Sequence, residues 1–158
     1  MESLERFLDA PVDYSTEFTD RVRGLADALA AALGAPVRHE TDMNYNPGQL
    51  LVVYLGPNGT VTGDEVAADF AVKIAVSSRG PLWALLASRK GAGPREWFPG
   101  SISDVQSGSV LGTIEKTMGE AGLARVPDES LERPVPGRVT ELDGAPATVR
   151  DLLFCELC

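Results

Sequence analysis

The stretch at residues 69–90, DFAVKIAVSSRGPLWALLASRK, decides the fold. From Phe70 to Ser77, large apolar residues alternate with small or polar ones, which is the two-residue period of a β-strand. Ser78-Arg79-Gly80-Pro81 predicts a turn, because Gly tolerates positive φ and Pro cannot donate to a central ladder. Residues 82–88 are almost wholly apolar, which predicts a second strand inside the sheet. The sequence therefore predicts a central antiparallel hairpin.

Length and composition are those of one globular domain spanning residues 1–158. Hydrophobic residues make up 44% and charged residues 23% of the chain, so we expect a folded core rather than wholesale disorder. No apolar run approaches the roughly 18 to 20 residues that a membrane span needs. The first residues, MESLERFLDAP, lack the basic and apolar blocks of a signal peptide. These observations predict a cytoplasmic protein with no membrane partner.

The chain is strongly acidic, with 23 acidic residues, 14 basic residues and a net charge of −9. A protein that neutralises phosphates needs clustered Lys and Arg, so we expect no nucleic-acid partner. Residues 67–100 reverse the sign, with 2 acids and 5 bases. Two interpretations stay open: a basic sheet that pairs with acidic helices, or an acidic surface that steers a basic protein partner.

Before the central hairpin, the chain predicts one helix and two further strands. Ser15 or Thr16 caps a helix of about five turns, which has its apolar residues on one face. Gly34 has the position of a left-handed C-cap. Residues 36–43 alternate as a strand does, and LLVVYL at residues 50–55 predicts a buried strand.

After the hairpin, GAGPREWFPGS at residues 91–101 predicts a loop, because three Gly and two Pro interrupt any periodicity. Ser103 with Gln106 three residues later is the pattern of a capping box, and it predicts a helix that ends at Gly122. A short strand is predicted next, and residues 127–137 are predicted to be irregular.

The two ends of the sequence carry weaker patterns. Residues 1–13 predict one short amphipathic turn that docks on the body of the domain. Near the other end two alternatives stay open. One is a second hairpin built on residues 138–142 and the residues from Ala147 onward, and the other is a short helix capped by Thr148. Both alternatives bury Leu153.

Cys155-Glu-Leu-Cys158 has the spacing of a redox pair or of a zinc half-site. Tetrahedral zinc needs four ligands, and His39 is the only other candidate, so the set is one ligand short. A thioredoxin-like pair lowers a thiol pKa at a helix N-terminus, and no helix pattern follows this pair. We therefore expect two ordinary thiols, no metal and no cofactor.

Other candidates for chemistry are equally incomplete. His39 lacks the nucleophile and the orienting group that would accompany a general base, so a surface or strand histidine is expected. The motif Gly56-x-x-Gly59-x-x-x-Gly63 lacks the Lys of a phosphate loop. Asp64 and Glu65 with Asp69 do not have calcium-loop spacing, and we expect solvated acids. The sequence thus predicts a protein that is not an enzyme.

The strongest functional hint is Arg95-Glu96-Trp97-Phe98. Trp, Arg and other aromatic residues dominate binding hot spots, and a rigid Pro/Gly frame reduces the entropy lost on ordering them. Arg95, Trp97 and Phe98 are therefore the predicted partner-binding residues. The alternative is that both aromatic side chains fold back over one edge of the sheet, since an exposed pair favours aggregation.

Taken together, the patterns predict an α+β fold with an antiparallel sheet of about five or six strands and two main helices on one face. The same order of elements occurs in secretion-chaperone-like proteins and in bacterial toxin-immunity proteins, although no residue motif carries that likeness. The function expected first is a non-enzymatic, acidic protein-binding domain, such as an inhibitor or immunity protein that masks a basic partner surface. A chaperone or adaptor is the first alternative. A small-molecule binder or enzyme with a sheet cavity is the second.

Overall fold

The computed structural model describes residues 2–41, 46–93, 96–105, 108–156 and 158. Among the helices in these residues, none combines the length and the apolar composition of a membrane span. The helices are α1 (Glu2–Leu8), α2 (Thr16–Leu33), α3 (Gly108–Glu120), α4 (Asp128–Leu131) and α5 (Val149–Leu153). The strands are β1 (Arg38–Glu40), β2 (Gly48–Leu55), β3 (Val61–Thr62), β4 (Phe70–Ser77), β5 (Leu82–Lys90), β6 (Trp97–Gly100), β7 (Ala124–Arg125), β8 (Pro134–Val139) and β9 (Pro146–Thr148).

The predicted central hairpin lies in the middle of the main sheet. Within the described residues this sheet has seven strands, five of which follow the order β1-β2-β4-β5-β6 with antiparallel neighbours. β3 pairs with β2, and β7 pairs with β5 in the parallel sense. The predicted α+β class with an antiparallel sheet is confirmed, although the sheet is wider than five or six strands and contains one parallel pair.

Helix α2 confirms the predicted helix together with both of its caps. Ser15 has extended backbone angles, and its hydroxyl accepts a hydrogen bond from the N–H of Phe18. Gly34 adopts the left-handed conformation with φ of 70°, and its N–H donates to the carbonyl of Ala30. Local groups thus satisfy backbone donors and acceptors at both ends of the helix.

The two longer helices, α2 and α3, pack on one face of the sheet. Their inward side chains follow the spacing of an amphipathic helix, with Val22 and Leu29 in α2 and Ile114 and Met118 in α3. These four residues are fully buried. The sheet residues buried against the two helices are Leu51, Val53, Leu55, Val72, Ile74, Val76, Trp83 and Leu85.

A second layer covers part of the opposite face of the sheet. The predicted turn at the start of the chain is α1. Near the other end, the helix capped by Thr148 is confirmed, and a hairpin is also present, although its first strand is Pro134–Val139 rather than 138–142 and its second strand stops at Thr148. β8 and β9 form the hairpin, and Thr148 caps α5 through a capping box with Asp151. Leu153 is buried, as both alternatives predict. The other residues buried in this layer include Leu4, Leu8, Leu50, Ala75, Leu82, Ala84, Val126, Leu131, Ala147, Val149, Leu152, Phe154 and Cys155.

Arg79, in the β4–β5 turn, joins this second layer to the sheet. Its Nε donates to the carbonyl of Leu152 at 2.7 Å, and its guanidinium also donates to the carbonyl of Ala10. Burial lowers the pKa of Arg79, because a charged guanidinium loses hydration there. The β4–β5 turn is therefore held in place by contacts with residues near the start and near the end of the sequence.

The segments predicted as loop and irregular chain contain secondary structure. Part of the 91–101 loop is β6, which pairs with β5. Residues 127–137 contain α4 and the beginning of β8. Pairing and packing with distant elements outweigh the local Gly and Pro signals in both segments.

The predicted capping box does not start α3. Ser103 lies in a single 3₁₀ turn, Ile102–Asp104, whose N-cap is Ser101, and α3 begins at Gly108. The side chain of Ser101 accepts from the N–H of Ser103, so Ser101 has the capping role at this point of the chain. Gln106 and the last two residues of the predicted 36–43 strand lie outside the described residues.

Candidate functional site

The predicted binding residues Trp97 and Phe98 lie on β6, an edge strand of the main sheet. Trp97 pairs with Lys90 and Phe98 pairs with Arg89 of β5. Since adjacent residues of a strand point to opposite faces, the two aromatic side chains lie on different sides of the sheet. The structure therefore separates them, and Arg95 lies outside the described residues.

Trp97 folds back onto the sheet and is half-buried. Its ring lies 6.0 Å from that of Tyr54, with a tilted arrangement, and it packs against a small cluster formed by Val52, Tyr54, Ala68 and Ala71. The indole N–H donates to Oε1 of Glu65 at 2.8 Å. Trp97 thus folds back over the edge of the sheet, as the alternative to a binding role predicts for both aromatic residues.

Glu65 is the centre of a polar network that holds the 63–69 loop over this end of the sheet. The Nζ of Lys90 donates to the carbonyls of Glu65 and Val66 at 2.8 and 2.7 Å, and it lies 5.7 Å from the Trp97 ring centroid. The other carboxylate oxygen, Oε2, is 3.9 Å from the guanidinium of Arg38. We call Arg38, Tyr54, Glu65, Lys90 and Trp97 the Glu65 network.

Arg38, on β1 at the opposite edge of the sheet from β6, is the last member of the network. It donates to the hydroxyl of Tyr54 at 3.2 Å and lies 3.5 Å from the carboxylate of Glu40. The hydrogen bond with Tyr54 is the main cause that raises the pKa of Arg38. This guanidinium therefore stays charged and organises the polar rim beside Trp97.

Phe98 is the aromatic residue of β6 that remains accessible, with 42% of its surface exposed. Its ring stands over Gly91, where an added Cβ atom would overlap the ring. The guanidinium of Arg89 lies 5.8 Å from the ring centroid. A ring held in this way on a paired strand offers apolar contact area at low entropic cost.

Both edges of the sheet are poorly suited to adding a partner strand. β6 has only four residues, and Pro99 has no N–H to donate. β1 has three residues, and all of them, Arg38, His39 and Glu40, carry polar side chains. Recognition at β6 is therefore expected to use side chains rather than backbone pairing.

His39 lies in strand β1, as the sequence predicts, and its side chain links that strand to neighbouring elements. Its Nε2 is 2.7 Å from Oε1 of Gln49, whose side-chain NH₂ donates to the hydroxyl of Thr19 at 2.8 Å. This chain of hydrogen bonds joins β1 and β2 to the first turn of α2. Among the described residues, no group of three His, Cys, Asp or Glu side chains is arranged to hold a metal ion.

The expectation of two ordinary thiols near the end of the chain is wrong. Cys155 and Cys158 form a disulfide, and their Cα atoms are 5.9 Å apart, a normal separation for bonded cysteines. The chain turns directly after α5 and brings the second sulfur back to the first. The sequence spacing allowed this bond, but a CxxC pattern alone does not reveal whether the chain makes that turn.

A cleft of about 550 Å³ opens between α2, the β4–β5 turn and the segment after α3. Its polar atoms include the hydroxyls of Ser77 and Ser78, which accept from the N–H groups of Arg79 and Asp13. Its apolar wall is formed mainly by Phe18, Val22, Leu25, Val76, Pro81 and Leu123. The cleft has the size of a small-ligand site, and its hydroxyls already hold backbone groups.

The sequence did not indicate the residues that hold Trp97. Glu65 is 32 residues from Trp97 in the chain, and the sequence suggested only a solvated acid at that position. Neither Arg38 nor Tyr54 stands in a motif. Tyr54 contacts Trp97, and Arg38 reaches this group through Tyr54 and Glu65. These contacts arise only when β1, β2 and β6 are placed in one sheet, so local spacing contains no signal for them.

The chain matches no known family model, no curated protein and no solved structure. The side chains described above are therefore the basis for a functional proposal.

Proposed function

We propose that the protein is a cytoplasmic, non-enzymatic protein-binding domain that recognises its partner through the outer side of β6. The observation that carries this proposal is Phe98, an accessible aromatic ring fixed over Gly91 on a paired strand. Aromatic residues presented on a rigid element are typical anchors of protein interfaces. Trp97 supports the strand from the other face through the Glu65 network.

The charge of the chain suggests the chemistry of the partner. A net charge of −9 attracts a basic protein at long range and increases the association rate, whereas the aromatic contact slows dissociation. An inhibitor or immunity protein that masks a basic active site needs both fast association and slow dissociation. The association rate should then fall as salt is added, and the dissociation rate should change little.

Capture by immobilised variants from lysate of the native host tests the proposal. Phe98→Ala removes the proposed anchor, and Tyr14→Ala is the control because Tyr14 is also an exposed aromatic residue and lies before α2 rather than on β6. We expect a partner captured by the wild type and by Tyr14→Ala to be lost with Phe98→Ala. Its dissociation constant should rise by about 10-fold or more. Equal capture by all three forms would reject β6 as the binding surface.

The cleft favours a second candidate function, the binding of a small apolar molecule. Its volume and its apolar wall match those of ligand sites. Leu25→Trp would fill the cleft, so binding of a screened ligand should disappear in that variant and remain in Phe98→Ala. The exposed large hydrophobic residues of the described chain lie at four separate places: Tyr14 before α2, Val66 in the 63–69 loop, Phe98 on β6, and Val139 with Leu142 in the β8–β9 hairpin. This distribution gives less support to the chaperone alternative, which needs one wide apolar groove.

A further inference from the structure

The disulfide near the end of the chain differs in accessibility between its two sulfur atoms. Cys155 is fully buried in the second layer, and its N–H donates to the carbonyl of Arg150 in α5. Cys158 is only partly buried. A thiolate from solution therefore reaches the sulfur of Cys158 first, and the sulfur of Cys155 is the leaving group.

The ring closed by this disulfide contains Glu156, which holds the β8–β9 hairpin. Its carboxylate accepts hydrogen bonds from the N–H groups of Glu141 and Leu142, at 2.8 and 2.9 Å. Its own N–H donates to Oδ1 of Asn46 at 3.1 Å. Glu156 therefore contacts two segments that are distant in the sequence.

Besides Glu156, Asp9 also contacts this hairpin, through an ion pair with Arg138 in β8. Val139 and Leu142 are 61% and 64% exposed, so little apolar burial holds them. Thr140 and Asp143 bond with each other within the turn rather than with the body of the domain. The turn at residues 140–143 is thus held by the two hydrogen bonds to Glu156, and the adjoining strand by Arg138 and Asp9.

We propose that Cys155 and Cys158 are a thiol–disulfide exchange site for dithiol reductants, and that their redox state determines whether Glu156 holds the β8–β9 hairpin. One thiolate of the reductant attacks Sγ of Cys158, the S–S bond breaks, and Cys155 leaves and takes up a proton. The first sulfur of the reductant is now bonded to Cys158 in a mixed disulfide. The second thiol of the reductant attacks that first sulfur, and Cys158 leaves and takes up a proton. The reductant is oxidised to a disulfide, and both cysteines end as thiols.

The coupling between the disulfide and the hairpin follows from the size of the ring. A bond between positions 155 and 158 restricts the backbone at Glu156, and breaking the bond releases it. If the hydrogen bonds to Glu141 and Leu142 form mainly in the oxidised chain, they must stabilise the disulfide by the same free energy. Removing the carboxylate should therefore make the disulfide easier to reduce.

A redox titration of the full chain tests this coupling. Wild type, Glu156→Ala and Glu129→Ala are equilibrated with graded ratios of reduced and oxidised dithiothreitol, and alkylation followed by mass measurement gives the oxidised fraction. Glu129 is a control of equal charge in α4. We expect reversible titration, with reduction of Glu156→Ala favoured by about 10-fold, equivalent to about 30 mV. Thiols that alkylate at every ratio would overturn the exchange site, and identical titration of all three forms would overturn the coupling.

Amide hydrogen exchange gives a second test of the coupling that does not depend on the midpoint of the redox titration. The amides of Glu141 and Leu142 should exchange at least about 10-fold faster in the reduced protein than in the oxidised protein. Cys158→Ser should resemble the reduced form. The amide of Ile74, in the centre of the sheet, should remain unchanged and thereby exclude global unfolding. Equal protection of the two hairpin amides in both redox states would reject the proposal.

Discussion

The indole N–H of Trp97 and the carboxylate of Glu65 share a hydrogen bond of 2.8 Å across 32 positions of the chain. This bond joins an edge strand to the loop that covers the end of the sheet. β6 has only four residues, so side-chain contacts supply much of what holds it in place. Trp97 is therefore a stabilising residue, whatever Phe98 binds.

Trp97→Ala should destabilise the protein, contrary to what a tryptophan at a loop tip would do. We expect a loss of about 2–4 kcal/mol in the free energy of unfolding, because the side chain packs on Tyr54 and on its small cluster. Trp97→Phe keeps part of the packing but removes the N–H donor and some ring area, so it should lose less, about 1–2 kcal/mol. Urea unfolding measures both variants. If the free energy of unfolding of Trp97→Ala changed by less than about 0.5 kcal/mol, the packing of Trp97 against the sheet would be contradicted.

Leu85→Ala should be among the most damaging single substitutions in the sheet. Leu85 is 2% exposed, and it pairs with Ile74 beneath the two longer helices. Truncating it should decrease the free energy of unfolding by about 2–5 kcal/mol. Leu142→Ala is the control, because the same change at a largely exposed position should have an effect below about 0.5 kcal/mol. Similar values for the two variants would contradict the placement of β5 in the core.

The two tryptophans should be distinguishable by fluorescence. Trp83 is fully buried between the sheet and the helices, whereas Trp97 is half-buried at the edge. In Trp97→Phe, the remaining emission should be blue-shifted and resistant to iodide. In Trp83→Phe, it should be red-shifted by comparison and partly quenched. If the Trp97 emission were the more blue-shifted and the better protected of the two, Trp97 would be more deeply buried than Trp83, which would contradict its half-buried position at the sheet edge.

Asp143 should titrate below its ordinary value of 3.8, since the hydroxyl of Thr140 and the N–H of Ala145 donate to its charged form. A carboxyl group whose pKa falls on folding stabilises the folded state above pH 3.8, and this contribution disappears as the pH falls through the lower, folded pKa. Carboxyl NMR titration should show the shift directly. Thr140→Val should move the pKa of Asp143 upward, and an unchanged value would show that the Thr140 hydroxyl has no effect.

The sequence predicted the strands and helices whose formation depends on residues close together in the chain. The alternation in residues 70–77 and the Ser15 and Gly34 caps are properties of neighbouring residues, and both elements are confirmed. β6 was predicted as loop because Gly and Pro surround it, yet pairing with β5 makes it a strand. The Glu65 network and the hold of Glu156 on the hairpin join residues far apart in the sequence. Such contacts exist only after the chain has folded, so no spacing rule could indicate them.

The second layer of the fold has a consequence for the order of events on the ribosome. Helix α1 packs against α5, which follows it by about 140 residues. At roughly 5–20 residues per second, α1 emerges about 7 to 28 s before its partner exists. The hairpin and α2 have neighbours to fold with during that interval, but Leu4 and Leu8 do not. The nascent chain therefore carries one apolar sheet face partly uncovered until α5 has been synthesised, and chaperones that recognise such faces have those seconds in which to bind it.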